Sequence, residues 1–179
     1  MRMIPGRDAP RIQLPAVDGS SFDTRMLSGR PYMLSFFRFA SCPLCNMRVR
    51  ELMRRYDELA PGFSIVAVFA SPLAELQRFT QTHAAPFPIL ADESKRYYRE
   101  YGIESSVRGF LRGMVLRLPT ALSGMLRGYL PLKWHGSLTT MPVDFLIDRN
   151  GVIREAYYGR DDGDHMPIET VPQFSALRD

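Results

Sequence analysis

The sequence predicts an α/β fold: a central mixed β-sheet flanked by helices, with an N-terminal extension and a helical insertion before a final β-hairpin. Three observations carry this. First, two apolar runs, PYMLSFFRF (31–39) and SIVAVFAS (64–71), are each followed by a helix-like pattern. Strand–helix–strand order requires a parallel pair joined by a crossover. Second, VDFLID (143–148) and VIREAYYG (152–159) flank Arg149-Asn150-Gly151, the signature of an antiparallel hairpin. Third, the strand–helix rhythm stops for about forty residues between these regions.

Taken in order, residues 1–30 read as an irregular arm with an Asp18-Gly19 turn. A helix from about Pro43 to Leu59 places Cys45, Val49, Leu52, Met53, Tyr56 and Leu59 on one face, and Pro61-Gly62 stops it. Residues 72–84 read as a helix with Pro72 near its first turn, 87–92 as a short strand, and 93–102 as a helix ended by Gly102. The tail from 160 ends in a short helix.

The length of 179 residues suits one domain, 1–179, with an insertion at about 104–140. No stretch has the roughly 18 unbroken apolar residues that a membrane-crossing helix needs. The first residues lack an apolar signal core, which sets the expectation of a cytoplasmic protein whose thiols are kept reduced.

Both cysteines lie in FFRFASCPLCNMRVREL, as Cys42-Pro43-Leu44-Cys45. Pro43 suits the first helical position, which makes Cys42 the N-cap. The unpaired N–H groups and positive dipole end of the helix would favour a thiolate there. Cys45, one turn on and within the apolar stripe, is expected to be the more buried sulfur and Cys42 the more exposed and acidic one. Arg38, Arg48 and Arg50 lie near in sequence and would add to the effect. A structural zinc site wants four N or S ligands, and His83, His135 and His165 are scattered, so neither metal nor cofactor is expected. CxxC at a strand-to-helix junction points to thiol–disulfide chemistry.

The chain resembles the peroxiredoxin-like AhpC/TSA branch of the thioredoxin superfamily. GRDAPRIQLPAVDGSSFD, PYMLSFFRFASCPLC, APFPILADESKRYYREYGI and MPVDFLIDRNGVIREAYYG match its segments in order. The resemblance implies a thioredoxin-like fold and a thiol-dependent antioxidant oxidoreductase. Such an enzyme cycles a Cys42–Cys45 dithiol and disulfide to reduce peroxides or protein disulfides, with a thioredoxin- or glutathione-type reductant. It also implies a substrate groove of Met141, Pro142, Arg38 and Pro43, with Met141-Pro142 resembling the cis-proline of thioredoxins. The active site departs from the peroxiredoxin pattern Pro-x-x-x-Thr-x-x-Cys: with Cys45 in the peroxidatic place, Cys42 stands for the Thr and Arg38 for the Pro. An arginine expected near Pro142 is also missing. Family alignment makes Cys45 the attacking sulfur, whereas the helix cap makes it Cys42, the assignment preferred here.

Residues 105–143 contain no acid but hold Arg108, Arg112, Arg117, Arg127 and Lys133 among aliphatics. This segment is read as packing on the sheet or forming a lid, as the interface of a homodimer, or as a contact with an anionic membrane surface. Its glycines and prolines, Gly109, Gly113, Gly124, Gly128, Pro119 and Pro131, are expected to break it into short helical pieces. Nucleic acid is a poor fit, because the arginines alternate with bulky aliphatics. His165, among acids in the tail, is a candidate proton relay, and Trp134-His135 a candidate groove wall. The alternative function is a redox-sensing binding module in which CxxC switches a partner or membrane interaction through the basic insertion.

Overall fold

The apolar run at 31–39 becomes the middle strand of the sheet in the computed structural model, which describes residues 1–80, 84–130 and 137–177. The elements are β1 (Gln13–Pro15), β2 (Ser21–Asp23), β3 (Tyr32–Phe37), α1 (Pro43–Arg54), β4 (Ser64–Phe69), α2 (Leu73–Thr80) and β5 (Ile89–Ala91). They continue with α3 (Arg96–Glu100), α4 (Val107–Leu116), α5 (Leu118–Leu126), β6 (Val143–Ile147), β7 (Ile153–Tyr158) and α6 (Thr170–Ser175).

Five strands form one sheet in the order β5-β4-β3-β6-β7. β3, β4 and β5 run parallel, as the βα repeats require, while β6 and β7 are antiparallel. Every residue of β3 is buried because both faces of the sheet are covered. Met33 and Phe37 point into a core shared with Val49 and Leu52 of α1 and Phe174 of α6. Leu34 and Phe36 point the other way, into a core shared with Tyr97, Tyr98 and Tyr101. Phe37 stacks on Phe69 with centroids 4.8 Å apart, and Phe36 meets Tyr98 edge-on at 5.1 Å.

Three readings need correction. The N-terminal arm is not irregular: β1 and β2 pair as a small hairpin. Asp18 Oδ1 accepts from the backbone N–H and hydroxyl of Ser20 at 2.9 and 2.7 Å, and Gly19 takes a positive φ of 87°. The hairpin is tied to the sheet by the Val17 N–H, which donates to the Ile89 carbonyl at 3.0 Å. Next, α1 stops at Arg54, and Tyr56–Glu58 tightens into a 3-10 turn, a common ending for a helix.

The third concerns the insertion. Gly109, Gly113 and Gly124 lie inside α4 and α5 rather than between helices. Among the described residues only Pro119, in the first turn of α5, and Gly128, at φ 90°, mark boundaries; Pro131 lies outside them. Gly109 and Gly113 are four residues apart and so share one face of α4. A methyl group at Gly109 would approach Met141 Sδ to 2.6 Å, and one at Gly113 would collide with the Asp162 carboxylate. At Gly124 it would lie 3.0 Å from Pro43 Cβ and 3.3 Å from Met47 Cγ. Each interior glycine gives up about 1 kcal/mol of helix propensity relative to Ala. In return, both helices lie close against the body of the protein.

Candidate active site

The CxxC lies where β3 leaves the sheet at its carboxyl end and α1 begins. The connecting loop is clamped to the end of β4: the Ala70 N–H donates to the Arg38 carbonyl at 2.8 Å, and the Ala40 N–H to Ser71 Oγ at 2.9 Å. Asn46 Nδ2 ties the loop to the helix by donating to the carbonyls of Ala40 and Cys42, at 2.8 and 2.9 Å. Cys42 is the N-cap, with extended backbone (φ −67°, ψ 117°) and Pro43 in the first turn. Its sulfur accepts from the Cys45 N–H at 3.3 Å, a contact strengthened by negative charge on sulfur.

Arg38 is the second influence on that sulfur. Its Nη2 donates to Cys42 Sγ at 3.1 Å and lies 3.1 Å from Asp162 Oδ2, while Nη1 donates to the Leu138 carbonyl at 2.9 Å. Burial pushes the Cys42 thiol upward, but the Cys45 thiol, the guanidinium of Arg38 and the Cys45 N–H outweigh it and hold Cys42 down to about 6. Cys45 shifts the opposite way: burial and then its neighbour's sulfur raise it well above the ordinary thiol value. The pair is thus divided into one sulfur that ionises easily and one that keeps its proton.

The expected difference in exposure does not hold. Cys42 is 0% exposed and Cys45 2% exposed. The reason is the α4–α5 segment, which covers the helix start: Gly124 packs on Pro43, and Ala121 and Leu138 join the core that contains both cysteines. A cleft of about 670 Å³ runs beside the site, lined among others by Leu44, Met47, Arg48, Arg117 and His165, with neither cysteine in its wall.

The residues expected to form a groove fare differently. Arg38, itself 4% exposed, lies against the thiol instead of walling a groove. Pro43 sits under α5. Met141 and Pro142 are buried beneath Gly109 and Gly159. The Met141–Pro142 bond is trans, not cis, since no described peptide bond is cis. The Met141 N–H donates to the Glu104 carbonyl at 3.1 Å and the Pro142 carbonyl accepts from the Gly159 N–H at 2.9 Å, which holds the chain as it enters β6. His165 Nδ1 bonds Asp144 at 3.0 and 3.1 Å and its ring packs on Phe37, so it serves the core beneath the sheet. Arg48 pairs with Glu51 at 2.7 Å and with the Met166 carbonyl, not with sulfur, and Arg50 likewise makes none of the hydrogen bonds to Cys42. His83, Trp134 and His135 lie outside the described residues. Among the described residues no group of His, Cys, Asp and Glu side chains is arranged to hold a metal ion.

Asp162 was missed. Its carboxylate closes the Arg38–Cys42 contact, and its Oδ1 is buried with no hydrogen-bond partner among the described residues. Burial, reinforced by Asp161, raises its pKa despite Arg38. The tail reads simply as acidic, and only the third dimension brings it 124 residues back to Arg38.

The AhpC/TSA family matches residues 5–156. Among curated relatives, a putative chloroplastic peroxiredoxin Q of Oryza sativa subsp. indica is 24% identical over 109 residues, 60% of this chain and 50% of its own length. The thiol-disulfide oxidoreductase ResA of Halalkalibacterium halodurans is 31% identical over 100 residues, 55% of this chain and 56% of its own length. The chain spans about half the length of these relatives. Among solved structures, peroxidoxin BcpB from Mycobacterium tuberculosis superposes with a TM-score of 0.67 at 15% identity, covering 99% of this chain and 100% of that one. The last likeness shows a peroxiredoxin-type, thioredoxin-like fold; none of the three supports a redox-sensing binding module. Since the family match takes in most of the 179 residues, the chain belongs to the AhpC/TSA family.

Proposed function

We propose that this chain is a thiol-dependent peroxidase in which Cys42 attacks and Cys45 resolves. The observation that carries the reading is the set of contacts on Cys42 Sγ: the helix N–H of Cys45 at 3.3 Å and Arg38 Nη2 at 3.1 Å, in a site with no exposed sulfur. The Cys42 thiolate attacks one oxygen of a hydroperoxide, the O–O bond breaks, and the alkoxide or hydroxide leaves with a proton from solvent. Sulfur is oxidised to a sulfenic acid and the peroxide is reduced. Arg38, already beside the sulfur, supplies positive charge where negative charge moves from sulfur to oxygen. The Cys45 thiol then attacks the sulfenic sulfur, one water leaves, and a Cys42–Cys45 disulfide forms. An external thiol reductant, of the thioredoxin or glutathione type, returns both sulfurs to thiols at the cost of its own oxidation.

Complete burial supports a small hydroperoxide as the oxidant of the first step; a protein disulfide, like the external thiol that closes the cycle, needs the α4–α5 segment to move first. The CxxC spacing and the ResA likeness favour disulfide exchange as the second reading. Stopped-flow oxidation of the reduced protein decides between them, with hydrogen peroxide and separately with a protein disulfide, in wild type, Cys42→Ser and Cys45→Ser. Fast peroxide oxidation that survives Cys45→Ser but not Cys42→Ser supports the proposal. Slow peroxide oxidation with brisk exchange replaces it with the second reading.

A further inference from the structure

We infer that the outer face of the α4–α5 segment docks on an anionic lipid surface. Val107, Leu111, Val115, Leu118, Leu122 and Leu126 are at least half exposed, from 50% at Leu122 to 89% at Leu126. Within each helix they recur every three or four residues, Val107, Leu111 and Val115 on α4 and Leu118, Leu122 and Leu126 on α5, so each helix carries an apolar stripe opposite the glycines that pack inward. Such clustering of large aliphatics in water calls for an occupant.

The charges select which one. Arg108 directly follows Val107 along α4 and Arg127 follows Leu126 at the end of α5, and both are exposed, whereas Arg112 lies 3.9 Å from the buried Asp161 carboxylate. No acid occurs from 105 to 143. A second copy on this face would set arginine against arginine with no carboxylate from the segment to pair them. An anionic headgroup layer complements them, with the aliphatics entering the acyl boundary and the guanidinium groups reaching up to phosphate. No described helix is long and apolar enough to cross a membrane, so the contact is with the surface. Docking uses the outer face alone and requires neither the peroxidase reading nor any change in the dithiol.

The test is flotation of the full chain with phosphatidylcholine vesicles and with vesicles that also contain about 30 mol% phosphatidylglycerol. The protein is expected to float with the anionic vesicles, at least about tenfold more than with neutral ones, and to be released as salt rises to about 1 M. Arg108→Gln and Arg127→Gln each lower binding about fivefold. Leu111→Gln with Leu122→Gln and Leu126→Gln abolishes it; circular dichroism checks that this variant folds, which its exposed positions favour. Absence of flotation with folded protein overturns the proposal, as does equal binding to neutral vesicles. A dimer in sedimentation that the leucine variant splits overturns it in favour of a second copy. Failure of flotation leaves the stopped-flow result untouched, so the two readings fail separately.

Discussion

Two buried carboxylates in this protein are built to opposite specifications. Asp144, on β6, has both oxygens satisfied: it accepts from the hydroxyl of Ser35, from His165 Nδ1 at 3.0 and 3.1 Å and from the Met166 N–H at 2.7 Å. Burial pushes its pKa up, but His165, Arg48 and Ser35 outweigh that and keep it below the usual carboxylate range. Asp162 has one oxygen on Arg38 and the other without a partner among the described residues, and its pKa is raised. The first carboxylate ties the tail to the sheet and has nothing left to offer. The second keeps unmet capacity within one guanidinium of a reactive sulfur. In a low-dielectric interior an unmet polar atom is costly, and one held beside a reactive sulfur is a candidate for a chemical role.

Substitutions sharpen that contrast. Cys42→Ser should remove peroxide reactivity on the order of a thousandfold or more; Cys45→Ser should retain the first oxidation step. Asp144→Ala should cost about 3 kcal/mol in chemical unfolding, because three donors lose their acceptor in the core, while activity per folded molecule persists. Asp162→Asn should change stability by less than about 1 kcal/mol, keeping shape and hydrogen-bonding capacity, yet shift the pH–rate profile downward because the carboxylate no longer competes for Arg38. If Asp162→Asn proves the more destabilising of the two, the contrast collapses. Gly124→Ala should cost about 1 kcal/mol, since Pro43 must yield a few tenths of an ångström, and should speed alkylation of Cys42 if the segment lifts.

The pH dependence of stability follows from the direction of the Cys42 shift. A group whose folded value is depressed, here to about 6 from the usual thiol value of 9.0, contributes stability that is present above the unfolded value and lost as pH falls through the folded one. Denaturant unfolding should therefore show wild type gaining stability from about pH 6 to about pH 9 relative to Cys42→Ser. Cys45, shifted upward, affects only more alkaline conditions.

Much of this was legible in the sequence. The apolar runs, the Pro43 position and the Asn150-Gly151 turn fixed β3, α1 and the β6–β7 hairpin, because local pattern and global fold agree there. The CxxC and its helix cap followed from spacing alone. Contacts between distant segments did not. The pairing of Arg38 with Asp162 joins the end of β3 to the tail, and neither residue signals the other. Gly109, Gly113 and Gly124 were legible as glycines but not as a packing face, because a helix breaker and a close-packing glycine are the same residue until a neighbour is known. The equal burial of the two sulfurs escaped for the same reason, since the segment that covers them is remote in sequence.

The central claim is that Cys42 is the easily ionised sulfur, and its most direct test is a titration of ultraviolet thiolate absorbance on the reduced protein. Wild type should gain one thiolate with a midpoint near pH 6, and the step should vanish in Cys42→Ser and move well upward in Arg38→Met, where burial acts unopposed by the guanidinium. A first thiolate appearing only near the ordinary thiol value, or one that persists in Cys42→Ser, would contradict the account.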